Sequence, residues 1–126
     1  MRVLLDTDVL IDVEKGVREL PETENYISVI MLYEFIRGRR DFEKTKELLE
    51  EAFTVIPLMN EVLLKATEIW RSLRAGGLSI DDRNLLIAAT AITHSLRLCT
   101  KNRKHFEKVV EYGLELVSPE QLAPKL

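Results

Sequence analysis

The feature that most constrains this chain is its opening run, Val3-Leu4-Leu5-Asp6-Thr7-Asp8. Three apolar residues lead straight into a carboxylate and a polar turn, and an amphipathic segment follows over 9–15. A short continuous apolar run of this kind suits a strand buried on both faces, as in the middle of a parallel sheet. Such a strand delivers Asp6 to the C-terminal edge of the sheet, where open α/β folds place their chemistry. Further acids are then expected at the same edge, brought there by later strand-to-helix turns.

The rest of the chain keeps the alternation. Residues 26–30 are aromatic and β-branched and read as a second strand, followed by a helix over 31–37 that stops at Gly38. Asp8 is the expected cap of the first helix and Asp41 that of a helix over 42–53. A short strand over 54–58 precedes a long helix with Asn60 as expected cap and Gly76-Gly77 as its end. Asp81, Asp82 and Asn84 open a helix reaching about Ser95, then 97–100 is a strand, 103–110 a helix and 114–117 a last strand. Strands alternating with helices predict a mainly parallel sheet between helical layers, a three-layer α/β/α sandwich. At 126 residues the expectation is a single domain, 1–126.

Composition narrows the function. Hydrophobic residues make up 46% and charged residues of both signs 31%, the balance of a soluble globular chain. A net charge of −3 argues against nucleic-acid binding by bulk basicity, though not against a local basic rim around an acidic cleft. The lone cysteine, Cys99, has no internal disulfide partner, which suits a reducing compartment. No run approaches the roughly 20 apolar residues of a membrane span, and no leader pattern opens the chain, so no membrane association and a cytoplasmic location are expected.

Asp6 follows the first strand, and Glu34 lies one turn into the helix after the second, the only acid between Asn25 and Arg40. Asp81, Asp82 and Asn84 open a later helix, and Asn102 follows the strand ending at Thr100. Carboxylates that meet without basic partners repel one another and are best tolerated around a hard divalent cation. Mg²⁺ or Mn²⁺ held this way lines up an activated water and a phosphodiester, so metal-assisted phosphoester hydrolysis is the chemistry indicated. Plainer readings exist for each group. Asp6 would serve as a turn carboxylate, Glu34 as the i+3 partner of Arg37, and Asn102 as a turn former. Arg37, Arg39 and Arg40, with Lys101, Arg103 and Lys104, would then be a solvated basic face.

Five runs, VLLDTDVLID, YISVIMLYEFIRG, IDDRNLLIAATA, LCTKNRKHF and GLELVSPEQL, together carry a resemblance across nearly the whole chain. In this combination and spacing the chain resembles the PIN-domain family, most of all the VapC-type toxins of toxin–antitoxin pairs. The resemblance implies a PIN-like sandwich, Mg²⁺- or Mn²⁺-dependent endoribonuclease activity on RNA, a homodimer, and a cognate antitoxin that blocks the site. It implies that Asp6 and Glu34 are the family's first and second acids, and that Asn102, with the Thr100 hydroxyl beside it, stands at the fourth position. The third acid normally stands three residues before the isoleucine of the IAA run, and here that residue is Asn84. An amide offers a carbonyl oxygen without charge, so metal affinity is expected to fall unless Asp81, three residues earlier, compensates. Asp82 points elsewhere on a regular helix. Arg37, Arg39, Lys101 and Arg103 are the implied contacts to RNA or antitoxin. One competing reading is a weakened PIN-like module that binds RNA or antitoxin without cutting. Another is phosphoryl transfer through Asp6 in the DxD manner of haloacid-dehalogenase-like phosphatases.

Overall fold

In the computed structural model, which describes residues 1–122, five parallel strands form one sheet in the order β3-β2-β1-β4-β5. The strands are β1 (Arg2–Leu5), β2 (Glu24–Ser28), β3 (Thr54–Ile56), β4 (Arg97–Cys99) and β5 (Leu116–Val117). The helices are α1 (Thr7–Glu14), α2 (Val29–Ile36), α3 (Phe42–Ala52), α4 (Asn60–Ala75) and α5 (Asp82–Thr93). Right-handed crossovers put the helices linking β1, β2 and β3 on one face and those leading to β4 on the other. This is the expected three-layer sandwich.

Val3, Leu4 and Leu5 of β1 have no exposed surface, as the apolar run requires of a central strand. Leu4 pairs with Tyr26 of β2 on one side and Leu98 of β4 on the other. Ala88, Ala89 and Ala91 of α5 are fully buried as well, small enough to bring that helix close to its neighbours. The connections run outward from β1 in opposite directions, through β2 to β3 and through β4 to β5. The crevice at such a reversal is where open α/β sheets bind ligands, and Asp6 and Thr100 sit at its two sides.

Several local expectations are corrected. The cap of α1 is Asp6, whose Oδ1 accepts from the Thr7 N–H at 2.8 Å, so the helix begins two residues earlier than an Asp8 cap would have it. Strand β2 ends at Ser28, because the Ser28 hydroxyl accepts from the Met31 N–H at 3.2 Å and turns Val29 and Ile30 into the first turn of α2. Asn60 is the first residue of α4, with Met59 at its cap position. The segment after β4 folds as two 3₁₀ stretches, Arg103–His105 and Glu107–Tyr112, and not as the α-helix expected over 103–110.

Cys99 lies in β4 with no exposed surface, and burial pushes its thiol up to about 12. The thiolate is the reactive form. At about pH 8 the native protein is therefore expected to be inert to a coloured disulfide reagent and to react only at the rate at which it unfolds. Reaction in the first seconds with the folded protein would contradict this placement. Among the described residues, no helix is long and apolar enough to cross a membrane.

Candidate active site

Asp6 is delivered by β1 as expected, and the residue is only 2% exposed. Its Oδ2 accepts from the Thr100 hydroxyl at 2.9 Å, which ties the ends of β1 and β4 together. Glu34, on α2, reaches the same crevice, where its Oε1 accepts from the Thr7 hydroxyl at 2.8 Å. The two carboxylates thus each receive a threonine hydroxyl from the turn following a strand, which holds them in fixed orientations.

The expectation of acids without basic partners is overturned by Arg83. This residue lies in the first turn of α5 and sends its guanidinium into the acid pair. Nη2 donates to Asp6 Oδ1 at 2.7 Å and to Glu34 Oε1 at 2.9 Å, and Nε donates to Glu34 Oε2 at 3.0 Å. Nη1 donates to Asn84 Oδ1 at 2.8 Å. Glu34 therefore pairs with Arg83 across 49 positions of sequence and not with Arg37, whose guanidinium lies 5.3 Å from the Tyr33 ring centre. Burial pushes the Glu34 carboxyl up, but hydrogen bonds from Arg83 and Thr7, with the Arg83 charge, outweigh it and hold the group below its usual range. Burial opposes the charge on Arg83 too, and Glu34 and Asp6 overcome it, so the guanidinium stays fully charged.

Asn84 is buried, and both ends of its amide are used. The carbonyl faces Arg83, and Nδ2 donates to Asp81 Oδ2 at 2.8 Å. Asp81 caps α5, its Oδ1 accepting from the Asn84 N–H at 2.8 Å. The two oxygens of Asp81 are thus spent on Asn84, and Asp81 acts on the crevice by aiming that amide. Asp82 is exposed at the head of the helix.

Asn102 is exposed, and its bonds go to Asp8 and Thr100, not to Asp6 or Glu34. Its Nδ2 donates to Asp8 Oδ2 at 3.0 Å, and its backbone N–H donates to the Thr100 hydroxyl at 3.1 Å. Asp8 stands beside Asp6, and burial together with the Asp6 charge raises its carboxyl above the usual range. Its Oδ1 is buried and has no hydrogen-bond partner among the described residues. Of the basic residues, Arg39 is paired with Glu14 and Lys101 Nζ lies 2.9 Å from Asp12, so both brace α1. Arg103 lines a separate cleft beside β5.

Sequence reasoning missed Arg83, Thr7 and the part played by Asp8. For Arg83 a signal was present. A cation in the first turn of a helix opposes the helix dipole, and at 83 it follows two aspartates, so its charge is used outside its own helix.

This donor set fits a divalent cation. Oxygens of Asp6, Glu34 and Asn84 already surround one cationic group, so the set is two carboxylates and one amide; among the described residues no third acid, histidine or cysteine joins them. Hard oxygen donors, two of them on carboxylates that hydroxyls hold in place, are what Mg²⁺ and Mn²⁺ take. A cleft of about 260 Å³ that begins at Asn84 is lined by Asp81 and Asn84 together with Lys104, His105 and Lys108. A larger cleft of about 610 Å³ lies at the opposite edge of the sheet, where Arg2 and Arg97 begin their strands, far from these acids.

Comparison with known proteins agrees with this geometry. The family model described as PIN domain matches residues 3–112. The chain is 38% identical to Ribonuclease VapC1 of Methanocaldococcus jannaschii over 117 residues, covering 91% of this chain and 86% of that one. It is 30% identical to Ribonuclease VapC1 of Rickettsia felis over 131 residues, covering 94% and 96%. Among solved structures, VapBC-1 from nontypeable Haemophilus influenzae superposes with a TM-score of 0.76 at 24% identity, covering 95% of this chain and 99% of the other. The Rickettsia felis VapBC2 structure, bound to a DNA fragment from its promoter, gives 0.75 at 23% identity, covering 94% and 98%. With the sheet order, the acids at the β1/β4 crevice and these likenesses in agreement, the chain belongs to the PIN-domain family, in its VapC branch.

Proposed function

We propose that this protein is a divalent-metal-dependent endoribonuclease and the toxin of a toxin–antitoxin pair. The observation that carries this reading is the convergence of Asp6, Glu34 and Asn84 oxygens on one cationic position at the β1/β4 crevice, in a chain 38% identical to a protein named a VapC ribonuclease. Asp6 and Glu34 hold Mg²⁺ or Mn²⁺, with Asn84 adding a neutral oxygen. When bound, the cation supplies an activated water and polarises the phosphodiester. The chain's own residues do the positioning. Thr100 and Thr7 keep the two carboxylates turned inward, Asp81 keeps the Asn84 carbonyl aimed at them, and Asn102 steadies Asp8 at the margin.

RNA runs along the cleft bounded by Lys104, His105 and Lys108, where cations meet the phosphates flanking the acids. Arg37, which has no acidic partner within ion-pair distance among the described residues, extends this contact. Lys104→Gln is expected to raise KM by about threefold to tenfold with kcat nearly unchanged, and to lower the salt dependence of RNA binding by about 0.7 in log–log slope. A fall in kcat at constant KM would place Lys104 in a different role.

The protein works in the cytoplasm with a cognate antitoxin as its partner, as the VapBC names of the matched structures suggest. It pairs with a second copy of itself. The support for that is α4, which buries Val62, Ala66, Ile69 and Leu73 on one face and leaves Met59, Leu63 and Trp70 about 42% exposed on another.

The test is RNA cleavage by the purified chain. With Mn²⁺ the RNA is expected to be cut internally, and excess chelator should stop the cutting. Arg83 and Asn84 favour a second reading, a PIN module that holds RNA or antitoxin without hydrolysis. Retention of RNA without cleavage at any Mg²⁺ or Mn²⁺ concentration would select it.

A further inference from the structure

We propose that Arg83 is a built-in occupant of the metal position, so that the guanidinium and a divalent cation hold the Asp6–Glu34 pair in turn and never together. The inference rests on the metal-binding reading of the previous section and adds a mechanism by which the chain controls that site.

The argument begins with the lone pairs. Arg83 spans the gap between the carboxylates, with nitrogens 2.7 Å from Asp6 Oδ1, 2.9 Å from Glu34 Oε1, 3.0 Å from Glu34 Oε2 and 2.8 Å from Asn84 Oδ1. A magnesium ion needs the same oxygens at about 2.0–2.1 Å. A guanidinium between them takes up the space and uses the lone pairs, and its own positive charge repels the ion at close range. The two occupants therefore compete.

Arg83 is also placed to leave. Its side chain is 32% exposed, against 3% for Asp6 and 21% for Glu34, so Asp6 is the enclosed member and the guanidinium lies nearest the rim. It departs by rotating about side-chain bonds, with no change in the backbone of α5. That helix is anchored separately, by the Asp81 cap and by the buried alanines. A cation in the first helical turn gains nothing from the helix dipole, so the carboxylates and the Asn84 carbonyl are what draw it inward.

Two consequences follow. Without metal the chain itself offsets one of the two negative charges and bridges both acids, so the fold bears less of their repulsion. With metal, the apparent affinity is reduced by the fraction of molecules in which Arg83 has withdrawn. If the inward state outnumbers the outward one by about ten to one, the ion binds about tenfold more weakly than the bare acids would allow.

The experiment is a Mg²⁺ and Mn²⁺ titration by calorimetry of the wild-type chain and Arg83→Gln, with melting temperatures recorded in chelator and in metal. Glutamine keeps a polar side chain but has neither the charge nor the fork. Arg83→Gln is expected to bind metal at least about tenfold more tightly. In chelator it should melt lower by about 3–6 °C, and metal should restore the loss. A folded Arg83→Gln that binds metal no more tightly than wild type overturns the proposal.

A second measurement follows the wild-type chain and uses a variant only to assign one signal. In the wild-type chain, the Arg83 Nε–H bound to Glu34 should give a slowly exchanging ¹⁵N–¹H resonance, assigned by its loss in Arg83→Lys. Titrating Mg²⁺ should abolish its protection in step with metal binding. Metal binding with that resonance unchanged also overturns the proposal, while leaving the ribonuclease reading intact. Failure of both wild type and Arg83→Gln to bind either metal overturns the two together.

Discussion

Asp6→Asn is expected to reduce RNA cleavage by about a thousandfold or more while leaving the fold in place. The substitution is close to isosteric, and asparagine is as good a helix cap as aspartate, so the bond from the Thr7 N–H survives. Thr100 can reverse its hydroxyl and accept from the new amide where it now donates to Asp6 Oδ2 at 2.9 Å. What is lost is one of the two carboxylates, Asp6 and Glu34, that meet at the proposed metal position. Charge stabilisation by a bound cation is worth several kcal/mol, and about 4 kcal/mol corresponds to a thousandfold in rate. Single-turnover cleavage in Mn²⁺, alongside a melting curve, separates the two effects. A rate within tenfold of wild type in a folded Asp6→Asn protein would remove Asp6 from the chemistry.

Asn84→Asp is expected to move stability in opposite directions with and without metal. With Mn²⁺ present, a third carboxylate should tighten binding by about tenfold to a hundredfold, or about 1.4–2.8 kcal/mol. In chelator the same change should destabilise the protein. The Asn84 amide now donates to Asp81 Oδ2 at 2.8 Å, and aspartate cannot, so two carboxylates would face each other across that distance. Losing a bond of this kind costs about 1–3 kcal/mol, partly offset because Arg83 Nη1 then meets a charged acceptor. Melting curves that cross between chelator and metal are the expected result. An unchanged Mn²⁺ affinity would mean that the side chain at 84 does not face the metal.

The pair Asn84–Asp81 also bears on the amide that stands where the family resemblance implies a third acid. An amide at 84 is matched at both ends, donating to Asp81 and accepting from Arg83, so the crevice is organised around an asparagine.

The sequence by itself determined the frame and the acids. The apolar run of β1 required a strand buried on both faces, and the alternation of strands with helices required a parallel sheet, so Asp6 had to emerge at its C-terminal edge. Glu34, alone in an apolar stretch, needed a partner or a function. These features are local, because burial and hydrogen bonding repeat with the period of the backbone.

Only the tertiary structure decided which groups the acids meet. Arg83 lies 77 positions from Asp6 and 49 from Glu34, and a long side chain at a helix head can turn toward several neighbours. Its direction follows from where β1, α2 and α5 come together, which no local pattern encodes. The same holds for Asp8, whose place beside Asp6 and under Asn102 depends on how β4 pairs with β1. It holds also for Asp81, which the helix spacing offered as a metal ligand and the packed crevice uses to aim Asn84. Backbone periodicity sets which residues reach the crevice, and the packing of distant elements sets which charges neutralise one another there.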